Sequence, residues 1–191
     1  MRFNIFLSNF NYKMKLNFAL LLLIVLFSFS LLKANTLEKN QSVYLIRHAL
    51  APGNGDPTNF DLLDCSTQRN LNHVGILQSK EIGQFFFENN VKIDDVYSSQ
   101  WCRCKDTAYY AFNNFKELSF LNSFYSYPFN LKKDEQMTHL RSFISELEYK
   151  NNVVFVTHYV VIADLVDYYP KSGEIIQIDK DLNIINTFLI N

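Results

Sequence analysis

Glycine and proline are scarce in this chain, with five Gly and four Pro among 191 residues. Collagen-like repeats and Gly/Pro-rich disordered segments are therefore excluded, because both need many residues of these two types. Hydrophobic residues make up 48% of the chain and include 18 Phe and 11 Tyr, which is enough apolar material for a folded core. The length of 191 residues predicts a single globular domain.

Cysteine is also scarce, with only Cys65, Cys102 and Cys104 in the chain. Three cysteines allow at most one internal disulfide and leave one thiol over. One residue separates Cys102 from Cys104 and no second cluster of ligands follows, so the spacing argues against a zinc site. Two alternatives stay open: a bridge from Cys65 to either Cys102 or Cys104, or three buried free thiols.

Acidic residues are absent from residues 1–34, which hold four of the 18 Lys and Arg residues of the chain. Residues 16–32 carry no charge, Lys13 and Lys15 precede them, and the small residue Ala34 follows. This order of a basic, an apolar and a small-residue region is typical of a secretory signal peptide. The sequence predicts a signal peptide over residues 1–34 and a secreted or periplasmic protein. An uncleaved membrane anchor over residues 16–32 is the alternative.

The remaining residues, 35–191, carry 14 Lys and Arg against 19 Asp and Glu. Non-specific binding of nucleic acid depends on neutralising phosphates with Lys and Arg, which an acidic domain does poorly. We therefore expect no nucleic-acid partner, and membrane contact only if the N-terminal segment is not cleaved. An anionic ligand would need a local cationic pocket.

Short β-rich runs alternate with longer amphipathic segments over most of residues 35–191. Strands are predicted over residues 43–46, 93–97, 153–156, 174–178 and 184–190. Helices are predicted over residues 73–89, 100–114, 135–149 and 160–168. This alternation predicts an α/β fold, a three-layer sandwich with a mostly parallel central sheet and helices on both faces. The last two strands are expected at an edge or antiparallel.

Two helices carry more detailed expectations. The first should bury one side, formed by Val74, Leu77, Ile82, Phe85 and Phe86. The second follows Ser98 and Ser99, whose hydroxyl groups are suited to cap its start.

Polar residues suited to bind an oxyanion follow three of the predicted strands. Arg47 and His48 come directly after the first strand, and His158 comes after Thr157 at the end of the third. Arg103 lies in the first turn of the helix that follows the second strand. Because ligands of open parallel sheets bind beyond the carboxyl ends of the strands, these side chains should meet in one pocket. Helix N-termini at the same edge favour an anion there.

Four segments, taken in order, resemble the signature of the histidine phosphatase (phosphoglycerate mutase-like) superfamily. Val43–Ala49 resembles the strand with the Arg-His-Gly signature, and Leu71–Gln78 resembles the helix start with the pattern Leu-Thr-x-x-Gly-x-x-Gln. Tyr97–Ala108 resembles the Ser-Ser-x-x-x-Arg-x-x-x-Thr-Ala segment of the family, and Val156–His158 resembles the strand that carries its second histidine. The resemblance covers about residues 42–178, and the loop Ala51–Pro57 with the Trp101–Cys104 run looks like that of a small secreted subgroup. It implies a phosphoglycerate mutase-like sandwich over residues 35–191.

The resemblance also implies roles for the four pocket residues. His48 would be the nucleophile that attacks phosphorus, and water would then hydrolyse the phosphohistidine. Arg47 and Arg103 would hold the phosphate oxygens, and His158 would donate a hydrogen bond to them as charge develops. The resemblance implies a small phosphorylated substrate, no cofactor and no metal.

Two departures from the family pattern bear on the chemistry. Ala49 replaces the Gly of the Arg-His-Gly signature. Residues 121–127 lack the Glu that larger members use as general acid, and Tyr159 stands where the other branch has Asp. The remaining candidates for the general acid are Glu174, Asp56 and Asp64. Without a proton donor, we expect a preference for phosphates that leave easily, namely phosphoramidates, anhydrides and aryl phosphates.

The sequence thus predicts a secreted or periplasmic phosphatase that hydrolyses a phosphomonoester or another activated phosphate through a phosphohistidine. Two alternatives remain: a phosphatase of phosphohistidine or of an envelope-glycan phosphate, and an inactive module that binds a phosphorylated ligand. A mutase is disfavoured because residues 35–191 leave no room for the long insertions that cover a sugar phosphate.

Overall fold

The computed structural model describes residues 41–190, which contain six strands and four α-helices. The predicted signal peptide over residues 1–34, with its alternative anchor over 16–32, lies outside the described residues. The strands are β1 (Val43–Arg47), β2 (Asp95–Ser98), β3 (Lys116–Glu117), β4 (Val153–Thr157), β5 (Ile175–Ile178) and β6 (Ile184–Phe188). The helices are α1 (His73–Glu88), α2 (Cys102–Phe112), α3 (Lys133–Glu146) and α4 (Tyr159–Val166).

The strands form one sheet in the order β3-β2-β4-β1-β5-β6. The first four in this order are parallel, and β5 and β6 are antiparallel to their neighbours. The predicted mostly parallel sheet with antiparallel final strands is confirmed. Arg47 pairs with Thr157 at the carboxyl ends of β1 and β4, so the residues that follow these two strands emerge side by side.

Helices cover both faces of this sheet, because alternate side chains of a strand point in opposite directions. Val43 and Leu45 of β1 pack into a core that includes residues of α3 and α4. Tyr44 and Ile46 of the same strand pack into a second core that includes residues of α1 and α2. The predicted three-layer sandwich is therefore confirmed. The strand β4 is buried along its whole length and β1 is buried as far as Ile46, which explains their continuous apolar runs.

The buried side of α1 differs from the predicted one. Val74 and Leu77 are 55% and 44% exposed, so the expectation that they face the core is wrong. Gly75 and Ser79 are buried instead, together with the predicted Ile82 and Phe86. A Cβ atom on Gly75 would lie 2.1 Å from the carbonyl oxygen of Leu50, so the close approach of helix and loop requires glycine there. A pattern of apolar residues does not identify the small residues that permit this approach.

The start of α2 also departs from its prediction. Trp101 is the N-cap residue and makes no capping bond with its side chain. The predicted cap residue Ser99 lies two positions earlier, and its hydroxyl accepts a hydrogen bond from the Trp101 N–H at 3.3 Å. The two-residue strand β3 was not predicted, since Lys116 and Glu117 are exposed and carry no apolar pattern. The other helix and strand boundaries shift by a few residues.

Candidate active site

A cavity of about 620 Å³ opens beyond the carboxyl ends of β1 and β4. It is lined by all four residues predicted to carry the chemistry, namely Arg47, His48, Arg103 and His158. Arg47 is the last residue of β1 and His48 follows it, and the His48 N–H donates to the carbonyl oxygen of Thr157 at 2.9 Å. The register of β1 and β4 thus holds the two histidines together, with ring centroids 5.5 Å apart.

His48 is buried, and its two ring nitrogens have different partners. Nδ1 lies 2.8 Å from the carbonyl oxygen of Ala49, which can only accept a hydrogen bond. Nε2 lies 3.3 Å from the Nε–H of Arg103, which can only donate one. Together these contacts select the neutral tautomer with its proton on Nδ1 and a lone pair on Nε2.

The pKa of His48 lies well below its ordinary value, first because the ring is buried and second because Arg103 is close. The other arginines of the cavity, Arg47 and Arg69, act in the same direction. A histidine in this setting stays unprotonated in mildly acidic solution. Its Nε2 therefore keeps a lone pair, which can attack an electrophile once a ligand displaces the hydrogen bond from Arg103.

Arg47 reaches the cavity from the end of β1. Its Nη1 donates to the carbonyl oxygen of Pro170 at 2.8 Å, and its guanidinium carbon lies 5.4 Å from the centre of the Tyr159 ring. Its Nε is one of two buried side-chain polar atoms that lack a hydrogen-bond partner within the described residues. A buried guanidinium N–H in a cavity wall is suited to an oxyanion, which would supply the missing acceptor.

His158 is buried beside His48. Its Nε2 lies 2.9 Å from the Ser99 hydroxyl oxygen and 3.4 Å from the sulfur of Cys104. These contacts leave Nδ1 as the ring nitrogen available to a ligand. Burial, followed by the charge of Arg103, lowers the pKa of His158 well below its ordinary value. The ring is neutral in the absence of an anion.

The cavity also holds Asp56, one of the three predicted general acids. Its carboxylate accepts hydrogen bonds from Arg103 Nη1 at 2.8 Å and Nη2 at 3.2 Å, from Trp101 Nε1 at 3.1 Å and from the Arg69 N–H at 3.1 Å. Burial alone would raise the pKa of Asp56, but the hydrogen bonds and charge of Arg103 hold it below its ordinary value. An ionised carboxylate in this position accepts hydrogen bonds and has no proton to donate, contrary to the predicted role.

The other two predicted general acids do not line the cavity. The Glu174 carboxylate accepts hydrogen bonds from the Tyr168 hydroxyl and from the Lys171 N–H. Asp64 is exposed and accepts a hydrogen bond from the Ser66 N–H, which starts a short 3-10 turn. Both carboxylates accept hydrogen bonds from nearby residues and lie outside the cavity lining, so neither is placed to protonate a leaving group.

Arg69 is a cavity residue that the sequence analysis missed. Its Nε donates to the carbonyl oxygen of Gly55 at 2.8 Å and its Nη1 donates to that of Ala51. With Arg47 and Arg103 it gives the cavity three guanidinium groups. The sequence did single out this residue, since Arg69 is the only Lys or Arg between His48 and Lys80.

A disulfide joins the loop that carries these groups to α2. Cys65 is bonded to Cys102, with 5.7 Å between their Cα atoms, which selects one of the alternatives left open by the sequence. The bond fixes the loop next to Arg103, the second residue of α2. Cys104 is a buried free thiol, and burial raises its pKa to about 12, so it stays protonated.

The loop after β1 is braced by side chains from the two helices on one face. Thr107 Oγ1 accepts a hydrogen bond from the Ala49 N–H at 3.0 Å and donates to the carbonyl oxygen of Arg103 at 2.7 Å. Gln78 accepts a hydrogen bond from the Leu50 N–H. The backbone at Ala49 is outside the positive-φ region and its methyl group is buried, so alanine is accommodated where the family pattern has glycine.

The described residues include no group of three or more His, Cys, Asp or Glu that could hold a metal ion. Within residues 41–190 no helix is both long and apolar enough to cross a membrane.

Comparison with known proteins gives a family match and a set of similar structures. Residues 43–120 match the model of the histidine phosphatase superfamily, branch 1. No curated protein sequence matches the chain. Among solved structures, the protein histidine phosphatase SixA complexed with tungstate is 16% identical, with a TM-score of 0.52 over 78% of this chain and 94% of that one.

Two further structures extend the comparison. A protein assigned as an α-ribazole-5′-P phosphatase, from Escherichia coli, is 16% identical, with a TM-score of 0.55 over 80% of this chain and 96% of that one. A phosphoglycerate mutase from Thermus thermophilus is 13% identical, with a TM-score of 0.57 over 78% and 99%. At these identities the three neighbours establish a shared fold.

Proposed function

We propose that this chain, of which residues 43–120 match the model of the histidine phosphatase superfamily, is a phosphatase that hydrolyses a small phosphomonoester or another activated phosphate through a phosphohistidine at His48. One observation carries the proposal. His48 presents an unprotonated Nε2 to a cavity that also contains the guanidinium groups of Arg47, Arg69 and Arg103. A nucleophile beside three cations suits a dianionic phosphate.

The first step forms the phosphoenzyme. The Nε2 lone pair of His48 attacks phosphorus, and the bond from phosphorus to the leaving-group oxygen or nitrogen breaks with its electron pair on that atom. The proton stays on Nδ1, and its hydrogen bond to the Ala49 carbonyl oxygen helps to stabilise the positive charge that the ring acquires. Arg47 and Arg103 stabilise the equatorial oxygens. His158 takes up a proton from solvent when the anion binds, and its Nδ1–H then donates to the same oxygens.

The second step releases phosphate. A water oxygen attacks the phosphorus of the phosphohistidine, the P–N bond breaks, and its electron pair returns to Nε2. The water proton passes to solvent or to the phosphate, and inorganic phosphate leaves. Imidazole is a good leaving group here because it is neutral when released.

Asp56 has a supporting place in this mechanism. The two terminal nitrogens of Arg103 face its carboxylate, while the Nε–H of Arg103 points to His48. The guanidinium group therefore bridges a fixed anion and the nucleophile, which sets the plane in which it meets the phosphate. We assign Asp56 as a positioning residue for Arg103.

Two related substrates share this chemistry. One similar structure is that of a protein histidine phosphatase, and a phosphohistidine side chain also leaves as a neutral imidazole once protonated. An envelope-glycan phosphate is the other alternative, and it fits a secreted or periplasmic protein. The apolar segment over residues 16–32 and the Cys65–Cys102 disulfide support that location, because disulfides persist in oxidising compartments.

The test is trapping of the intermediate in protein purified from expression of the full chain. Acetyl phosphate labelled with ³²P is added across pH 5–8 and the reaction is quenched in alkali, in which phosphohistidine survives and acyl phosphate does not. We expect a labelled protein and turnover of p-nitrophenyl phosphate, both reduced by at least about 1000-fold in His48→Ala.

The control is His139→Ala, which removes an exposed histidine of α3 and should behave like the wild type. Absence of both label and turnover in the wild-type protein would overturn the proposal. If inorganic phosphate still bound in that case, the chain would be the inactive ligand-binding module.

A further inference from the structure

The residues that line the cavity divide into a set of Arg, His and Asp residues, which we call the inner part, and an uncharged set. The inner part consists of the six residues already described: Arg47, His48, Asp56, Arg69, Arg103 and His158. None of the other described residues that line the cavity carries a charge. Six of these are aromatic and form what we call the aromatic rim: Phe60, Trp101, Tyr125, Tyr127, Phe129 and Tyr159.

The aromatic rim is built from contacts between its own rings. Trp101 stacks on Phe60 with ring centroids 5.1 Å apart and meets Phe129 edge-on at 5.0 Å. Tyr125 and Tyr159 form a second pair, with centroids 6.0 Å apart. Trp101 also contacts the His158 ring at 5.5 Å, so the rim continues directly into the catalytic part of the cavity.

The composition of the rim restricts the group that carries the phosphate. A carboxylate, a second phosphate or an ammonium on that group would lose hydration on entering the cavity and find no opposite charge on the rim. A flat apolar group would lose little hydration and gain stacking with the rings. The cavity volume of about 620 Å³ accommodates such a group.

The inner part of the cavity restricts the leaving group independently. Its one carboxylate, Asp56, is ionised on Arg103, and neither Glu174 nor Asp64 lines the cavity. An aliphatic alcohol is a weak acid and needs a proton to leave, whereas a phenol has a pKa of about 10 and leaves as phenolate. The site is therefore suited to esters that need no general acid.

We propose that the substrates of this site are aryl phosphates, that is, phosphate monoesters of a phenolic hydroxyl such as that of a phosphotyrosyl side chain. The inference rests on the proposed phosphatase function and adds the substrate class. His48 Nε2 takes the phosphoryl group, the P–O bond breaks with its electrons on the phenolate oxygen, and the phenolate takes a proton from solvent. Water then releases inorganic phosphate and restores Nε2.

The experiment compares two peptides of identical sequence that carry phosphotyrosine or phosphoserine. We expect kcat/KM for the phosphotyrosine peptide to exceed that for the phosphoserine peptide by at least about 100-fold, because an absent general acid costs an alkyl ester roughly that much. Acetyl phosphate, which has no aromatic group, is measured beside them as a test of the catalytic machinery alone.

Variants of the rim test the aromatic contacts. Tyr125 and Tyr127 are 57% and 77% exposed, so the double variant Tyr125→Ala/Tyr127→Ala should fold. We expect it to lower kcat/KM for the phosphotyrosine peptide roughly 10-fold more than for acetyl phosphate. The matched control Tyr169→Ala removes a tyrosine that is 74% exposed and does not line the cavity, and it should match the wild type.

The outcomes separate the two proposals. Turnover of acetyl phosphate with equal or better turnover of phosphoserine would overturn the substrate class and leave the phosphatase in place. The substrate class would also be overturned if a phosphohistidine peptide were hydrolysed faster than the phosphotyrosine peptide. The same holds if the double variant lost kcat/KM equally for the phosphotyrosine peptide and for acetyl phosphate. No phosphoenzyme with any substrate would overturn the phosphatase itself.

Discussion

Asp56 and Arg103 show how single side chains set up this site. Arg103 is buried and donates through all three of its nitrogens, to His48 on one side and to Asp56 on the other. One oxygen of the Asp56 carboxylate also accepts a hydrogen bond from Trp101. Because the contacts of Arg103 and Trp101 with Asp56 each need an acceptor on that side chain, an amide in its place would turn a donor toward Arg103 or Trp101.

The Asp56→Asn variant tests this arrangement. Loss of a charge-assisted pair should lower kcat/KM by roughly 10- to 100-fold. A positioning residue affects all leaving groups alike, so the dependence of rate on leaving-group pKa across substituted phenyl phosphates should keep its slope. A slope that steepens for poor leaving groups would identify Asp56 as the proton donor. Asp64→Asn makes the same chemical change in the same loop outside the cavity and should leave the rates unaltered.

Among the elements, the segment between β1 and α1 combines the least regular structure with the most site residues. It provides Asp56 and Arg69, and it contains only a 3-10 turn and an isolated bridge as regular structure. The Cys65–Cys102 bond ties it to the first residue of α2. The segment thus depends on one covalent link for the position of two charged groups in the cavity.

Removal of this link should therefore affect both stability and phosphate binding. The Cys65→Ser/Cys102→Ser variant opens a loop with a sequence separation of 37, which predicts a loss of about 2–4 kcal/mol in the free energy of unfolding. Both cysteines are replaced so that Cys104 cannot form a new bridge. Urea unfolding measures the first effect and titration with inorganic phosphate the second. Unchanged stability and unchanged phosphate affinity would show that other contacts hold the segment.

For the whole molecule, burial of two histidines among arginines makes stability depend on pH. Folding lowers the pKa values of His48 and His158 well below the ordinary value of about 6.5, first through burial. Below that pH the unfolded chain takes up protons that the folded protein does not bind. The stabilisation is therefore complete above about pH 6.5 and decreases as the pH falls toward the folded-state values.

We expect the free energy of unfolding to decrease below pH 6.5 by up to about 1.4 kcal/mol per pH unit for each buried histidine. Chemical unfolding at several values between pH 7.5 and 5 measures this slope. His48→Gln should reduce the slope, whereas His139→Gln removes an exposed imidazole as a control. A slope that is the same in wild type and His48→Gln would contradict the pH dependence assigned to this residue.

The sequence by itself determined the class of fold and the location of four pocket residues. Buried strands such as Val153–Thr157 have continuous apolar runs. Arg47 ends one of them, and His48 and His158 directly follow two of them. Since residues at the ends of adjacent parallel strands must emerge at one edge, local pattern was enough to bring them together. The same argument located Arg103 at the start of α2.

Only the tertiary structure decided which distant side chains meet these four. Three contacts depend on how the irregular segment after β1 meets the start of α2. They are the ion pair of Asp56 with Arg103, the position of Arg69 in the cavity and the disulfide between Cys65 and Cys102. The burial of Gly75 in place of Val74 likewise reflects the close approach of α1 to a loop. Periodicity and local propensity report on neighbours along the chain, whereas these contacts depend on the path of a loop, which no local pattern encodes.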